Sequence, residues 1–288
     1  MKWKPGETSQ DIEDRRGMGG GRGRFGGGRG LGIGGFVILL ILSFVFKQDF
    51  FSLVGGGTGI GGAAPPSAEA GPVTSTPEEE QRVKFVGFVL DSAQNFWQRK
   101  LPQLGAQYQR ARLVLFRGAV ESACGSASAA SGPFYCPGDQ KVYIDLGFFD
   151  DLDQRFGAPG DFAQAYVLAH EIGHHVQTLL GIEAKVRQLQ QSSPGSSNPA
   201  QVALELQADC LAGIWGHETA AMGILEEGDV NEGLAAASAV GDDRIQKQAQ
   251  GYANPETFTH GSSEQRARWF MRGFKSGRIE ECDTFSAR

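Results

Sequence analysis

The chain has four cysteines, and no two of them are spaced Cys-x-x-Cys, which argues against a cysteine-built zinc site. Histidine is scarce, with five in 288 residues, so any histidine spacing that matches a metal motif carries information. There is no internal repeat. From Lys47 to Arg82 the chain carries no Lys or Arg in between. Basic charge is lacking over the chain as a whole, whose net charge is −6. Residues 1–30 hold seven Lys/Arg (Lys2, Lys4, Arg15, Arg16, Arg22, Arg24, Arg29) against four acids (Glu7, Asp11, Glu13, Asp14), a balance of +3 that leaves −9 for the remainder. An acidic main domain argues against a nucleic-acid partner for it.

Glycine is abundant at 42 residues but clustered, between Gly17 and Gly35 and again between Gly55 and Gly62. Such clusters mark flexible segments rather than a fibre. Between them lies the uniformly apolar run 36–46, which with its flanks (31–54) is long enough for one transmembrane anchor. A cleaved signal peptide is the competing reading. The Ala-x-Ala that would end one, Ala68-Glu69-Ala70, lies far downstream. The positive-inside rule then leaves residues 1–30 as a basic Gly/Arg-rich cytoplasmic tail and exports the rest, to a periplasm or to the cell exterior. Residues 55–77, rich in Gly, Ala, Pro, Ser and Thr, read as a linker, and 78–288 as the folded domain.

Within that domain apolar spacing predicts helices over 79–97, 148–156, 162–180, 183–191, 201–222, 230–248 and 263–274, with strands at 113–116 and 142–146. Asp161 is the expected N-cap of the helix over 162–180, and 192–199 is the expected loop. The class is α+β, mostly helical with a small sheet, behind one N-terminal transmembrane helix.

The helix expected over 162–180 carries His170-Glu171-Ile172-Gly173-His174. Residues four apart share a helix face, so both imidazoles can reach one ion. Glu171, next to the first ligand, is placed to take a proton from the water such a metal activates. With five histidines, a chance match has odds of about one in two hundred. The third ligand is expected from Glu205-Leu206-Gln207-Ala208-Asp209, where Glu205 and Asp209 are again four apart. Glu205 would bind the metal and Asp209 would accept the outer N–H of a ligand histidine. A solvated acidic face is the alternative. It fits poorly beside Val202, Leu206, Cys210 and Leu211, where unpaired carboxylates would be costly. His260 is the candidate oxyanion donor, while His175 and His217 read as structural.

His170 to His175 followed by the 205–209 segment resembles the gluzincin metallopeptidases, whose metal is held by two His and one Glu. The 205–209 segment is similar to that of the membrane-embedded peptidases that process prenylated proteins and of the bacterial heat-shock membrane proteases. Those families carry a late Thr-His-Pro followed by Arg, whose His stabilises the transition state; here the segment is Thr259-His260-Gly261 with Arg266. Over nearly its full length the chain resembles a bacterial family of neutral zinc metallopeptidases. The shared stretches are Glu13-Asp14-Arg15-Arg16, the apolar run, Gly132-Pro133-Phe134-Tyr135-Cys136-Pro137, residues 142–146, the metal helix, the 205–210 segment and the His260 segment. The resemblance implies a zincin-like fold, one zinc per chain and a peptide or protein substrate.

The resulting expectation is a membrane-anchored zinc endopeptidase. A strand edge near Val142 would align the peptide. Four cysteines allow three pairings; the expected one joins Cys124 to Cys136 and Cys210 to Cys282. A catalytically inactive zinc domain that binds a partner at the membrane is the rival reading. The intact Glu171 speaks against it, because a structural site needs no base.

Overall fold

The computed structural model describes residues 1–6, 8–18, 73–192, 195 and 197–286. The expected anchor at 31–54, the Arg22–Arg29 tract and most of the linker lie outside the described residues. Among the described residues no helix is long and apolar enough to cross a membrane.

A short strand, β1 (Ile12–Asp14), comes first. Helix α1 (Pro77–Lys100) follows. Its start is over-determined: the Thr76 hydroxyl accepts from the Glu79 amide, Pro77 takes the first helical position, and Glu78, Glu79 and Glu80 face the positive end of the helix dipole. Next come β2 (Arg112–Phe116), a hairpin of β3 (Ala119–Ser122) and β4 (Gly125–Ser128), β5 (Phe134–Cys136) and β6 (Lys141–Asp145). The helical part comprises α2 (Phe148–Gln154), α3 (Asp161–Leu179), α4 (Ile182–Ser192), α5 (Ser197–Ala221), α6 (Asp229–Ala239), α7 (Asp242–Gln250) and α8 (Ser263–Ser276).

The main sheet has the order β1-β2-β6-β5, parallel except for β5. Successive strand residues point to opposite faces, and here both faces are covered. Leu113, Leu115, Val142 and Ile144 join the large core shared with the helices. Val114, Phe116 and Tyr143 join a smaller one under the β3–β4 hairpin, with Val120 and Cys136. This explains why β2 reads as a continuous apolar run rather than an alternating one.

Several expectations need correction. The strand around Val142 is not an edge: β6 is paired with β2 on one side and β5 on the other. The 230–248 helix is two helices, broken at Val240–Gly241. A Cβ on Gly241 would lie 2.3 Å from the Ser263 amide, so the chain turns there to admit the start of α8. Gly160, not Asp161, precedes the first residue of α3. Helix α5 begins at Ser197, inside the expected loop.

The largest correction concerns the N-terminus. Residues 1–18 are not part of a separate tail but belong to the domain. Ile12 pairs with Leu113 in the main sheet. The Trp3 ring lies 5.2 Å from that of Phe85. Asp11 accepts from Arg110 and Gln94. The Arg16 side chain is buried against Asp14, Glu79 and Glu80. Net charge alone marked these residues as a basic tail, whereas the Met1 ammonium, Arg15 and Arg16 each have carboxylate partners within the fold. A strand of the domain's sheet lies on the domain's side of any bilayer. A cytoplasmic N-terminus therefore does not go with an exported domain. Because all four native cysteines are paired, a Lys4→Cys variant gives a clean probe. In intact cells a membrane-impermeant maleimide is expected to label it from the side on which protease reaches the domain; labelling from the opposite side would contradict the β1–β2 pairing.

Candidate metal centre

Two close helix approaches build the site. Gly173, inside the histidine motif of α3, faces α5: a Cβ there would lie 3.0 Å from the Ala208 carbonyl oxygen and 3.2 Å from its Cα. The missing side chain lets α5 come close enough to bring Glu205 beside the histidine pair. On the other side of α5, a Cβ on Gly273 of α8 would lie 1.9 Å from the Cys210 carbonyl oxygen, and one on Gly213 would lie 2.1 Å from that of Phe270. Glycine at both positions presses α8, and with it Arg266, against the Asp209 turn.

The structure brings His170, His174 and Glu205 together. The two Nε2 atoms are 3.2 Å apart, and Glu205 Oε2 is 3.3 Å from the first and 3.5 Å from the second. A tetrahedral zinc with bonds of about 2.0–2.1 Å separates its ligands by about 3.3 Å. The donor set and spacing therefore fit zinc. The outer nitrogens are also engaged. His170 Nδ1 donates to Asp209 Oδ1 at 2.8 Å, and His174 Nδ1 to Gln177 Oε1 at 2.9 Å. Gln201 donates to Glu205 Oε1 at 3.0 Å, leaving Oε2 toward the histidines.

Asp209 is fully buried and accepts four groups: His170, the Tyr166 hydroxyl, Arg266 Nε at 2.9 Å and Arg266 Nη2 at 2.9 Å. Burial alone would raise its pKa, but the Arg266 and His170 charges hold it below the usual carboxylate range. Burial likewise works against a charged His170, yet the Asp209 carboxylate holds its pKa at about 9. Glu205, also desolvated, is kept well below the ordinary range by His174 and His170. The convergence that draws protons onto these imidazoles draws a cation in their place, and metal uptake releases those protons.

Glu171 is buried beside His170 and is not one of the three converging groups. His260 sits in a loop organised by Asp242. One Asp242 oxygen accepts the amides of Thr259 at 2.6 Å, His260 at 2.6 Å and Gly261 at 3.1 Å, and the other lies 3.1 Å from His260 Nδ1. The His260 Nε2 is thereby left for another partner. Desolvation lowers its pKa, but Asp242 and Glu205 raise it above the ordinary value. Gly261 has φ +89°, which proline cannot adopt, and a Cβ there would meet Leu206 and Val202 of α5. The Gly in place of the Pro of related families thus goes with a different local backbone, one that seats the loop against the Glu205 helix. His175 is buried between the Tyr135 hydroxyl and the Gln109 carbonyl, and His217 is bonded to the Phe274 carbonyl, so neither faces the centre. Both expected disulfides are present, Cys124–Cys136 and Cys210–Cys282. A second group of carboxylates gathers Asp161, Asp229 and Glu232. The Met1 ammonium bonds Asp161 at 2.8 Å and pairs with Glu226 at 3.2 Å and Asp229 at 3.3 Å, and Glu232 accepts the Phe162 amide.

Gln177, Gln201, Asp242 and the Asp209–Arg266 pair went unassigned in the sequence reading or were assigned only in part. Gln177 and Gln201 lie three and four residues from a metal-site residue on its own helix, and that spacing is the one signal that would have found them.

A helix-borne His-Glu-x-x-His with a Glu from a second helix defines a metal centre of the zinc-peptidase type. The chain belongs to the family described as "Putative neutral zinc metallopeptidase", which it matches over residues 1–285. It is 46% identical over 287 residues to the uncharacterized protein YpfJ of Escherichia coli (strain K12), covering 99% of both chains. It is 46% identical over 217 residues to the uncharacterized protein Rv2575 of Mycobacterium tuberculosis (strain ATCC 25618 / H37Rv), covering 72% of this chain and 70% of that one. No solved structure matches. The family implies zinc as the metal.

Proposed function

We propose that the protein is a zinc endopeptidase in which His170, His174 and Glu205 hold the metal. The observation that carries this reading is the mutual spacing of their ligand atoms, 3.2–3.5 Å, with both outer imidazole nitrogens already committed as donors. A bound zinc would supply Lewis acidity and lower the pKa of an attacking water. Glu171 takes the proton from that water and passes it to the leaving amine. His260, held through Nδ1 by Asp242, donates from Nε2 to the oxygen on which charge develops. Asp209 fixes the His170 tautomer and orientation.

An extended peptide would pair with the outer edge of β5, since β6 is interior. Pro133 and Pro137 bracket β5 and limit that edge to three residues. The two disulfides support an oxidising, exported location, and residues 31–54 are the proposed membrane attachment. Chelation of the purified full-length protein is expected to abolish cleavage of an unfolded protein substrate, and one equivalent of zinc to restore it. Cleavage that persists in metal-stripped protein would overturn the reading. Zinc binding with no cleavage of any peptide tested would favour the partner-binding module.

A further inference from the structure

His174 is linked by an unbroken row of hydrogen bonds to a disulfide on the far side of α5. Gln177 is fully buried, and its Nε2 donates to the Leu204 carbonyl at 2.7 Å and to Gln207 Oε1 at 3.1 Å. A backbone carbonyl only accepts, so the Gln177 amide has one allowed orientation. Its Oε1 must face His174, and His174 Nδ1 must carry the hydrogen of that bond. Nε2 of the same ring is then the nitrogen left for a metal. Gln207 is oriented in the same way. Its Nε2 donates to the Cys282 carbonyl at 3.0 Å, so its Oε1 faces Gln177. Cys282 is bonded to Cys210, one residue beyond Asp209, and both cysteines are buried.

We propose that Gln177 and Gln207 are positioning residues of the metal centre, and that the Cys210–Cys282 disulfide anchors their far end, so that the C-terminal segment sets the tautomer and direction of His174. This rests on the zinc reading above. Two fixed acceptors, the Leu204 and Cys282 carbonyls, give the row its polarity, and its output is a histidine nitrogen aimed at the metal. The disulfide holds the chain after α8 against α5, where the Cys282 carbonyl meets Gln207. Thr284 makes a second tie there, to the Ala203 carbonyl at 2.6 Å, but takes no part in the row.

The test is zinc affinity of the detergent-solubilised full chain, measured by chelator competition, for Gln177→Leu, Gln207→Leu, the double variant Cys210→Ala/Cys282→Ala, and Thr284→Val as the control. Loss of an outer partner of a metal-binding histidine typically weakens metal binding by about 10–100-fold. That range is expected for Gln177→Leu, with losses in the same direction for Gln207→Leu and the cysteine variant, and no change for Thr284→Val. In the zinc-loaded wild type the His174 Nδ1–H should give a slowly exchanging imidazole proton resonance, which Gln177→Leu should remove. Gln207→Leu keeps both cysteines, so it decides the matter if the cysteine variant does not fold. Wild-type zinc affinity in folded Gln177→Leu and Gln207→Leu would overturn the proposal while leaving the zinc reading intact. A wild-type chain that holds no zinc would overturn both.

Discussion

Glu171→Gln is expected to lower kcat/KM by about 10²–10⁴-fold, the usual contribution of a positioned general base, and to leave zinc content unchanged. The substitution keeps the shape of the side chain and removes its ability to take a proton. Glu171 is buried next to His170 but is absent from the converging trio, so its loss does not open the ligand set. Steady-state kinetics on an unfolded protein substrate, with elemental analysis of the same sample, measures both quantities. Loss of zinc along with activity would make Glu171 a ligand. Activity within a few-fold of wild type would remove it from the mechanism and require another base.

Asp209→Ala has the largest expected effect on stability. Asp209 is wholly buried, and Arg266, also buried, bonds both of its oxygens. Removing the carboxylate leaves a desolvated guanidinium with only the Val240 carbonyl and the Tyr166 hydroxyl as oxygen partners. Breaking a buried pair in this way costs about 3–5 kcal/mol, a large part of the roughly 5–15 kcal/mol that holds a typical domain folded. Thermal or urea denaturation reads the loss. The companion variant Asp209→Leu/Arg266→Met removes both charges and should recover most of the stability, since an apolar pair of similar volume is often neutral. It should not recover zinc affinity, because His170 still lacks its partner. If stability and zinc affinity return together in the double variant, Asp209 has no role beyond neutralising Arg266.

The parts of this architecture that were legible in the sequence share one property: they depend on spacing along a single helix or on residue types with few uses. His170, Glu171 and His174 fall on one helical turn, and Glu205 and Asp209 repeat the spacing on a helix whose neighbours are apolar. What escaped depends on distant chain segments. β1 is three residues long, with one apolar side chain, and its partner β2 lies about a hundred residues on. The break at Gly241 exists because Ser263 passes against it. The interior position of β6 follows from β5, whose three residues between two prolines are too few to signal a strand. Asp242 organises the His260 loop from eighteen residues away.

The N-terminal strand changes how the apolar run 31–54 must be approached. That run suggested a single crossing with its two flanks on opposite sides of a bilayer. The pairing of Ile12–Asp14 with Leu113–Leu115 places the two flanks in one folded body. Membrane attachment through this run is a proposal that has to respect that pairing.

The central claim is the ligand set, and metal content tests it most directly. The purified full-length wild type is expected to hold about one zinc per chain, as the three-ligand site predicts, and a folded Glu205→Ala variant to lose it readily to a chelator. A folded wild-type chain without zinc, or a Glu205→Ala variant that retains it as tightly as wild type, would contradict the assignment of His170, His174 and Glu205 as the metal centre.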